Sequence, residues 1–379
     1  SYIGRLPWKT LGLPDLRDGS GERLWYVLSP SFRDNDAVQP LNSRTPEPWP
    51  DALSLDGNGG LVAIVFAPGA PLFGQDRSGA NTNNPAHYLE AANADGDASY
   101  ASGPTGEGFN DRATAIPRRI LMAAVEKRIA GEARGVMRAF YGASSTSPSL
   151  RYFPYSALLG SNSPSALNRR GLLPVSCRCA AAPPDLSCNC AGAADFVVSP
   201  GDNFQFTAAT GTCSPAALPN RCTCASGAGT CLGRHVDPNA AASVRSSISL
   251  DAVQLSAVAG GNFTAAPAVP DWFLDNQWER LSYVAIAAGC SAAATGCSSG
   301  TFLSAGNLTD LAAVVIAAGA PLAATEAAGS PQAGFPSGSV TDYLDSIENA
   351  NDDDTFSAPG KTRGATYNDS VTVVPRSSL

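Results

Sequence analysis

Two short acidic stretches hold the densest local chemistry of this chain, Asp95-Gly96-Asp97 and Asp352-Asp353-Asp354. Carboxylates gathered near turns suit a hard cation, which takes several oxygen ligands. In the first stretch a glycine between the two aspartates lets both carboxylates turn toward one point; the second lacks that glycine and has one more acid. Neither follows the EF-hand spacing. The bland alternative is a solvated acidic turn. Other chemistry is sparse. No G-x-S-x-G, H-E-x-x-H or P-loop occurs, and the two histidines, His87 and His235, read as loop residues. With 33 acidic residues, a carboxylate pair picked from the sequence specifies no acid–base couple. The expectation is a protein that is not an enzyme.

The acidic stretches belong to a larger pattern that occurs twice. Leu61-Val-Ala-Ile-Val-Phe-Ala-Pro-Gly-Ala-Pro-Leu72 and Leu311-Ala-Ala-Val-Val-Ile-Ala-Ala-Gly-Ala-Pro-Leu322 agree at eight of twelve positions. Each is an apolar run with β-branched residues, stopped by Gly and Pro, and reads as a strand buried on both faces. Upstream, Glu22-Arg23-Leu24-Trp25-Tyr26-Val27 matches Glu279-Arg280-Leu281-Ser282-Tyr283-Val284. Downstream, Asn93 to Tyr100 matches Asn349 to Phe356, and Phe109-Asn110-Asp111 matches Tyr367-Asn368-Asp369. Four blocks in one order imply two copies of one domain. The pairings expected are 24–28 with 61–67 and 281–286 with 311–317, antiparallel, with Trp25 and Tyr26 on opposite faces.

At 379 residues the chain suits two domains of ordinary size. A net charge of −8 argues against nucleic acid. Lysine is confined to Lys9, Lys127 and Lys361; with the abundance of alanine, this suggests a GC-rich bacterial genome. No run of 18 apolar residues occurs. All ten cysteines fall between Cys177 and Cys297 in a Gly/Ser/Pro-rich stretch, which points to disulfides in an oxidising compartment. The C-x-C pairs do not have the spacing of a structural zinc ribbon, though metal is the alternative. Cys290 and Cys297 are expected to close one small loop, and the pairing of the other eight stays open.

In chain order, 1–116 forms the first head. Residues 117–174 supply a helix and the start of the second. Pro117 suits a first helical position. Leu121, Val125, Ile129, Ala133, Val136 and Phe140 line one side, with Arg118, Arg119, Glu126, Lys127, Glu132, Arg134 and Arg138 on the other. Arg170-Gly-Leu-Leu-Pro-Val175 echoes Gly4-Arg5-Leu6-Pro7. Residues 175–268 then read as a disulfide-stapled β-rich insertion, with strands at 196–198 and 204–207. Residues 269–379 complete the second head. Trp8, Trp25, Trp272 and Trp278 read as core.

The motifs Gly4-Arg5-Leu6-Pro7-Trp8-Lys9-Thr10-Leu11-Gly12-Leu13, Arg23-Leu24-Trp25-Tyr26, Asn93 to Tyr100 and Phe109-Asn110-Asp111 occur here in one order. In that order the chain resembles the globular heads of type IV pilins and type II secretion pseudopilins, in particular a group of large prepilin-type proteins. The resemblance covers nearly all of 1–116 and the recognisable parts of 117–160 and 270–375, but not the cysteine-rich insertion. It implies an α+β fold: two pilin-like heads, each an amphipathic helix on a small antiparallel sheet, with the disulfide-rich β insertion in the second. It also implies calcium in a C-terminal loop. The candidate ligands are Asp95, Asp97 and Asp111 in copy one and Asp352, Asp353 and Asp369 in copy two. Under the bland reading Asp111 and Asp369 are caps.

The resemblance further implies a structural or assembly subunit of an extracellular filament or secretion pseudopilus. Its partners would be other pilin-like subunits, and it would be at the cell surface, facing the periplasm during assembly. The family's apolar N-terminal helix, expected upstream of Ser1, would be its only membrane contact. The inserted subdomain would be an adhesive or partner-binding tip. The competing readings are a secreted surface- or carbohydrate-binding module derived from a pilin head and, behind it, a hydrolase built on the insertion.

Overall fold

The computed structural model describes residues 2–33, 40–45, 49, 51–143, 147–153, 156, 159, 169–173, 272–273, 276, 278–291, 294, 296–327, 332 and 339–379, and the backbone of four short strands between 178 and 233. It is an α+β protein with two curled, mostly antiparallel sheets. The chain divides into two compact units, residues 1–41 with 45–124 and residues 42–44 with 125–379.

The first sheet holds β1 (Tyr2–Arg5), β2 (Trp25–Leu28), β3 (Leu53–Leu55), β4 (Asn58–Ala67), β5 (Ser99–Tyr100) and β6 (Arg112–Pro117). β4 is its spine. β6 pairs with β4 over 61–67 and so takes one edge. The other edge is shared by β3 over 58–61 and β2 over 63–66. β1 extends the sheet beyond β2, and β5 lies parallel to β3. The tight turn between β3 and β4 uses Asp56 and Gly57, both with positive φ, the geometry that suits a two-residue hairpin. Register shifts occur twice along β4, between Leu53 and Leu55 of β3 and between Leu61 and Ala63 of β4 itself. Bulges of this kind bend a strand and increase its twist.

The second unit repeats this arrangement. β7 (Arg170–Leu172), β12 (Ser282–Ile286), β13 (Leu303–Ala305), β14 (Leu308–Ala317), β15 (Thr355–Phe356) and β16 (Ser370–Pro375) have the same order, with β16 on the far edge of β14. The register shifts recur at 303/305 and 311/313. Between β7 and β12 lie two antiparallel strand pairs, β8 (Arg178–Cys179) with β9 (Cys188–Asn189) and β10 (Phe204–Ala208) with β11 (Gly229–Gly233). The strand expected at 196–198, and the cysteine side chains between 177 and 231, lie outside the described residues.

Both expected strand pairings are present, but the upstream alignment needs a correction. Trp25 pairs with Phe66 and Tyr283 with Ile316, which occupy the same place on the two spines. Tyr283 is therefore the counterpart of Trp25, not of Tyr26. The reading that matched Tyr26 with Tyr283 is one residue out of register. In a strand such a slip moves every side chain to the opposite face. The reason it went unseen is visible in the burial. β2 alternates buried and half-buried residues, whereas every residue of β12 is buried. A strand covered on both faces carries no alternation by which to fix its register.

Helix α1 (Arg118–Ala143) follows β6 directly. Its side bearing Ile129, Ala133, Met137 and Phe140 is buried. Within the second unit, Arg134 donates to Thr372 Oγ1 of β16 at 3.3 Å, and Glu126 accepts from Arg363 at 2.5 Å. No described helix is long and apolar enough to cross a membrane.

Candidate functional site

Each sheet seals a polar cluster behind the strand that ends in Gly-Ala-Pro-Leu. In the first unit the cluster is built on Asp111, just before β6, and Glu90, on the loop after β4. Asp111 is fully buried and Glu90 nearly so. Asp111 Oδ2 accepts from the Glu90 backbone N–H at 2.9 Å and from Asn93 Nδ2 at 2.9 Å. Glu90 answers in the other direction. Its Oε2 accepts from the backbone N–H groups of Asn110 at 2.9 Å and Asp111 at 3.1 Å, and its Oε1 from Gln75 Nε2 at 2.7 Å. Gln75 Oε1 accepts from the Leu72 N–H at 2.9 Å, and Asn110 Nδ2 donates to the Ala70 carbonyl at 2.7 Å.

The second unit reproduces the cluster nearly bond for bond. Asp369 Oδ2 accepts from the Asp345 N–H at 2.9 Å and from Asn349 Nδ2 at 3.2 Å. Asp345 accepts from the Asn368 N–H at 2.7 Å and from Gln332 Nε2 at 3.0 Å. Gln332 takes the Leu322 N–H at 3.1 Å, and Asn368 donates to the Ala320 carbonyl at 2.8 Å. The repeated Gly-Ala-Pro-Leu thus has a reason beyond ending a strand. Its alanine carbonyl and leucine N–H are partners of the cluster. Its glycine makes room: a Cβ on Gly69 or Gly319 would lie 2.9 Å or 1.8 Å from the nearest side-chain atom of Asn110 or Asn368.

Burial governs the electrostatics of the clusters. Glu90 and Asp345 each receive several N–H donors. Asp111 Oδ1 and Asp369 Oδ1 are buried with no hydrogen-bond partner among the described residues. Burial pushes the Asp111 carboxyl up to about 7, against the Asn93 and Glu90 N–H bonds and with help from the Glu90 charge. Burial, and then the charge of Asp345, pushes Asp369 well above the usual carboxylate range. Burial also raises Asp345 to about 6, against its N–H donors and the positive charge of Arg363. Asp111 and Asp369 therefore hold their protons to higher pH than an ordinary carboxyl. Asp111 and Asp369 are 0% and 3% exposed and offer no face to a substrate. Chemically, the pair is a lock that ties a loop to a strand.

The six aspartates expected as cation ligands fall into two groups, four in the acidic stretches and two in the buried pairs. Asp95 and Asp97 spend oxygens on backbone N–H groups, those of Asp97 at 3.0 Å and Ser99 at 2.6 Å. Asp353 does the same for Thr355 at 2.7 Å, and Asp352 pairs with Arg170 at 2.9 Å. Asp111 and Asp369 sit in the buried pairs. Among the described residues no group of three or more His, Cys, Asp or Glu could hold a metal ion. Cys290 and Cys297 are joined by a disulfide, with Cα atoms 4.2 Å apart.

The sequence reading missed Glu90, Asp345, Gln75 and Gln332. A signal existed for the first two, since Tyr88-Leu89-Glu90 and Tyr343-Leu344-Asp345 precede the acidic stretches in both copies. The glutamines gave none, because Gln75 follows Leu72 by three residues and Gln332 follows Leu322 by ten. No protein-family model, curated protein or solved structure matches this chain.

Proposed function

We propose that this chain is a structural or assembly subunit of a type IV pilus-like filament or secretion pseudopilus, working outside the cell or at its surface. The supporting observation is the duplicated sheet with a sealed polar lock in each copy. Buried polar clusters of this kind are spent on fixing loop and strand geometry, and neither presents a reactive group to solvent. The resemblance of the head motifs to pilins supplies the class of assembly. The disulfide Cys290–Cys297 suits an oxidising compartment. The partners are other pilin-like subunits, and the insertion between β7 and β12 is the segment offered to a binding target.

Mass spectrometry of the intact natural protein, together with electron microscopy of the cell surface, tests this. A prepilin-type apolar N-terminal helix and the protein's presence in filaments are expected. A conventional secretory leader with the protein free in the medium would replace this reading with that of a secreted binding module.

A further inference from the structure

Helix α1 carries charge of the opposite sign to the chain around it. Its 26 residues hold six cations and two acids, a net +4, so with −8 for the whole chain the other 353 residues carry −12. Arg119, Lys127, Arg128, Arg134 and Arg138 are exposed. Glu126 is buried against Ser43 and Arg363, and Glu132 is paired with Arg128, so neither acid neutralises the remaining cations of that face. Lys127, Arg134 and Arg138 recur at helical spacing and form one row. Among the described residues Arg134 and Arg138 each bond a neutral oxygen, on Thr372 and Ser378. Gly131, Gly135 and Gly142 lie along the same helix, and a Cβ on any of them would meet nothing within 4 Å. Glycine weakens a helix interior, and no neighbour among the described residues requires it there.

The same unit also carries an acidic surface. Glu348 lies on the short helix α2 (Ile347–Ala350), with Asp352 and Asp353 just beyond it, and all three are exposed. Arg170 engages Asp352 and Asp354, while Glu348 and Asp353 have no ion-pair partner among the described residues. We propose that the basic face of α1 docks the acidic 348–354 segment of a second copy of this chain. This rests on the assembly reading and gives it an interface. Each copy offers one surface of each kind, so the contact is heterologous and can propagate from copy to copy. A nucleic acid or anionic membrane would also be drawn to the helix but repelled by the excess acid elsewhere, whereas a second copy brings acids of its own.

Sedimentation velocity of the full chain tests this. At about 20 mM salt the mean mass should rise with concentration, and at about 0.5 M, where charges are screened beyond a few ångströms, it should fall to that of a monomer. Lys127→Glu/Arg134→Glu/Arg138→Glu and Glu348→Lys/Asp353→Lys should each weaken association about tenfold or more. An equimolar mixture of the two should restore it, because the reversed helix then meets a reversed loop. Circular dichroism checks that each variant is folded; if one is not, the glutamine variants of the same helix residues should show the same loss. Wild type that stays monomeric at low salt, association indifferent to either reversal, a mixture without rescue, or wild type that prefers anionic vesicles would each overturn the proposal. If the chain is monomeric while the natural protein has a prepilin-type N-terminus, this interface falls and the assembly reading stands.

Discussion

The two units, head one and head two for brevity, reach the same sheet by different packing. In head one the turn Pro30–Phe32 after β2 is held by an aromatic pair, Phe32 against Trp49 with centroids 5.0 Å apart, and by Trp49 Nε1 donating to Ser29 Oγ at 2.8 Å. In head two the corresponding turn, Ala288–Cys290, ends in the disulfide to Cys297. Likewise, the Tyr88 ring meets the guanidinium groups of Arg5 and Arg77, at 4.1 and 4.8 Å. Its counterpart Tyr343 meets Arg44, at 5.8 Å. The buried acid pair, with its Asn and Gln partners, is common to both. What the copies share is the polar lock and the curled spine; the apolar and covalent fastenings around it have been exchanged. A position whose hydrogen bonds are set by backbone geometry tolerates less change than one that needs only buried area.

The largest expected effect concerns the face assignment. Trp25→Ala should cost about 3–5 kcal/mol, because a fully buried indole leaves a cavity. Tyr26→Ala, on the half-buried face, should cost about 1 kcal/mol or less. In head two that contrast should vanish. Tyr283→Ala and Val284→Ala should each cost about 2 kcal/mol or more, since both faces of β12 are covered. Urea denaturation followed by tryptophan fluorescence and circular dichroism reads these differences. A large loss at Tyr26 would mean that the faces of β2 are assigned the wrong way round.

A middling effect is expected at the exchanged fastening. Converting both Cys290 and Cys297 to serine opens a loop with a sequence separation of 7, which in the chain-entropy account removes about 2.5 kcal/mol. Only the second unit's transition should shift, because no cysteine precedes Cys177. Calorimetry with two resolved transitions checks this, and a shift of the first transition would count against independent fastening.

The smallest difference between the heads is expected in their response to pH. Between an unfolded carboxyl's pKa near 4 and the folded value of about 7 for Asp111, the native state holds a proton that the unfolded chain has released. The contribution of this group to stability is therefore full below about pH 4 and is lost as pH rises through about 7. Asp369 shifts in the same direction for the same reason, burial beside a second acid. Asp111→Asn and Asp369→Asn should each flatten the decline in their own head, since an amide keeps an acceptor for Oδ2's partners and carries no charge. Melting temperatures across pH 5 to 9 would show it. A wild-type curve that rises from pH 5 to 8 would put the ionised form in the folded state.

Much of the spine was legible in the residues. The apolar runs at 61–67 and 311–317, their Gly-Pro stops and the flanking blocks gave strand positions and pairing partners, because a buried strand needs a continuous apolar segment and cannot pass a proline unbroken. The acidic stretches were legible as turns but not as to what their oxygens bind. Asp95 and Asp353 are equally acidic in the sequence as Asp111 and Asp369, yet the first two cap local N–H groups and the last two are sealed against a second acid. The α1 pattern revealed an apolar and a charged side, but not that Glu126 would be drawn inside to meet Ser43 and Arg363.

By itself, then, the sequence determined the duplication, the two spine strands with one partner each, the amphipathic helix and the short disulfide loop, all of which follow from local composition and short spacings. Only the tertiary structure decided the register of β12, the burial of Asp111 and Asp369, and the pairing of each with an acid some 20 residues away, at separations of 21 and 24. Those depend on which loop folds back onto which strand. A carboxylate's protonation and partners are set by desolvation and by donors arriving from distant segments, and neither leaves a trace in local residue order.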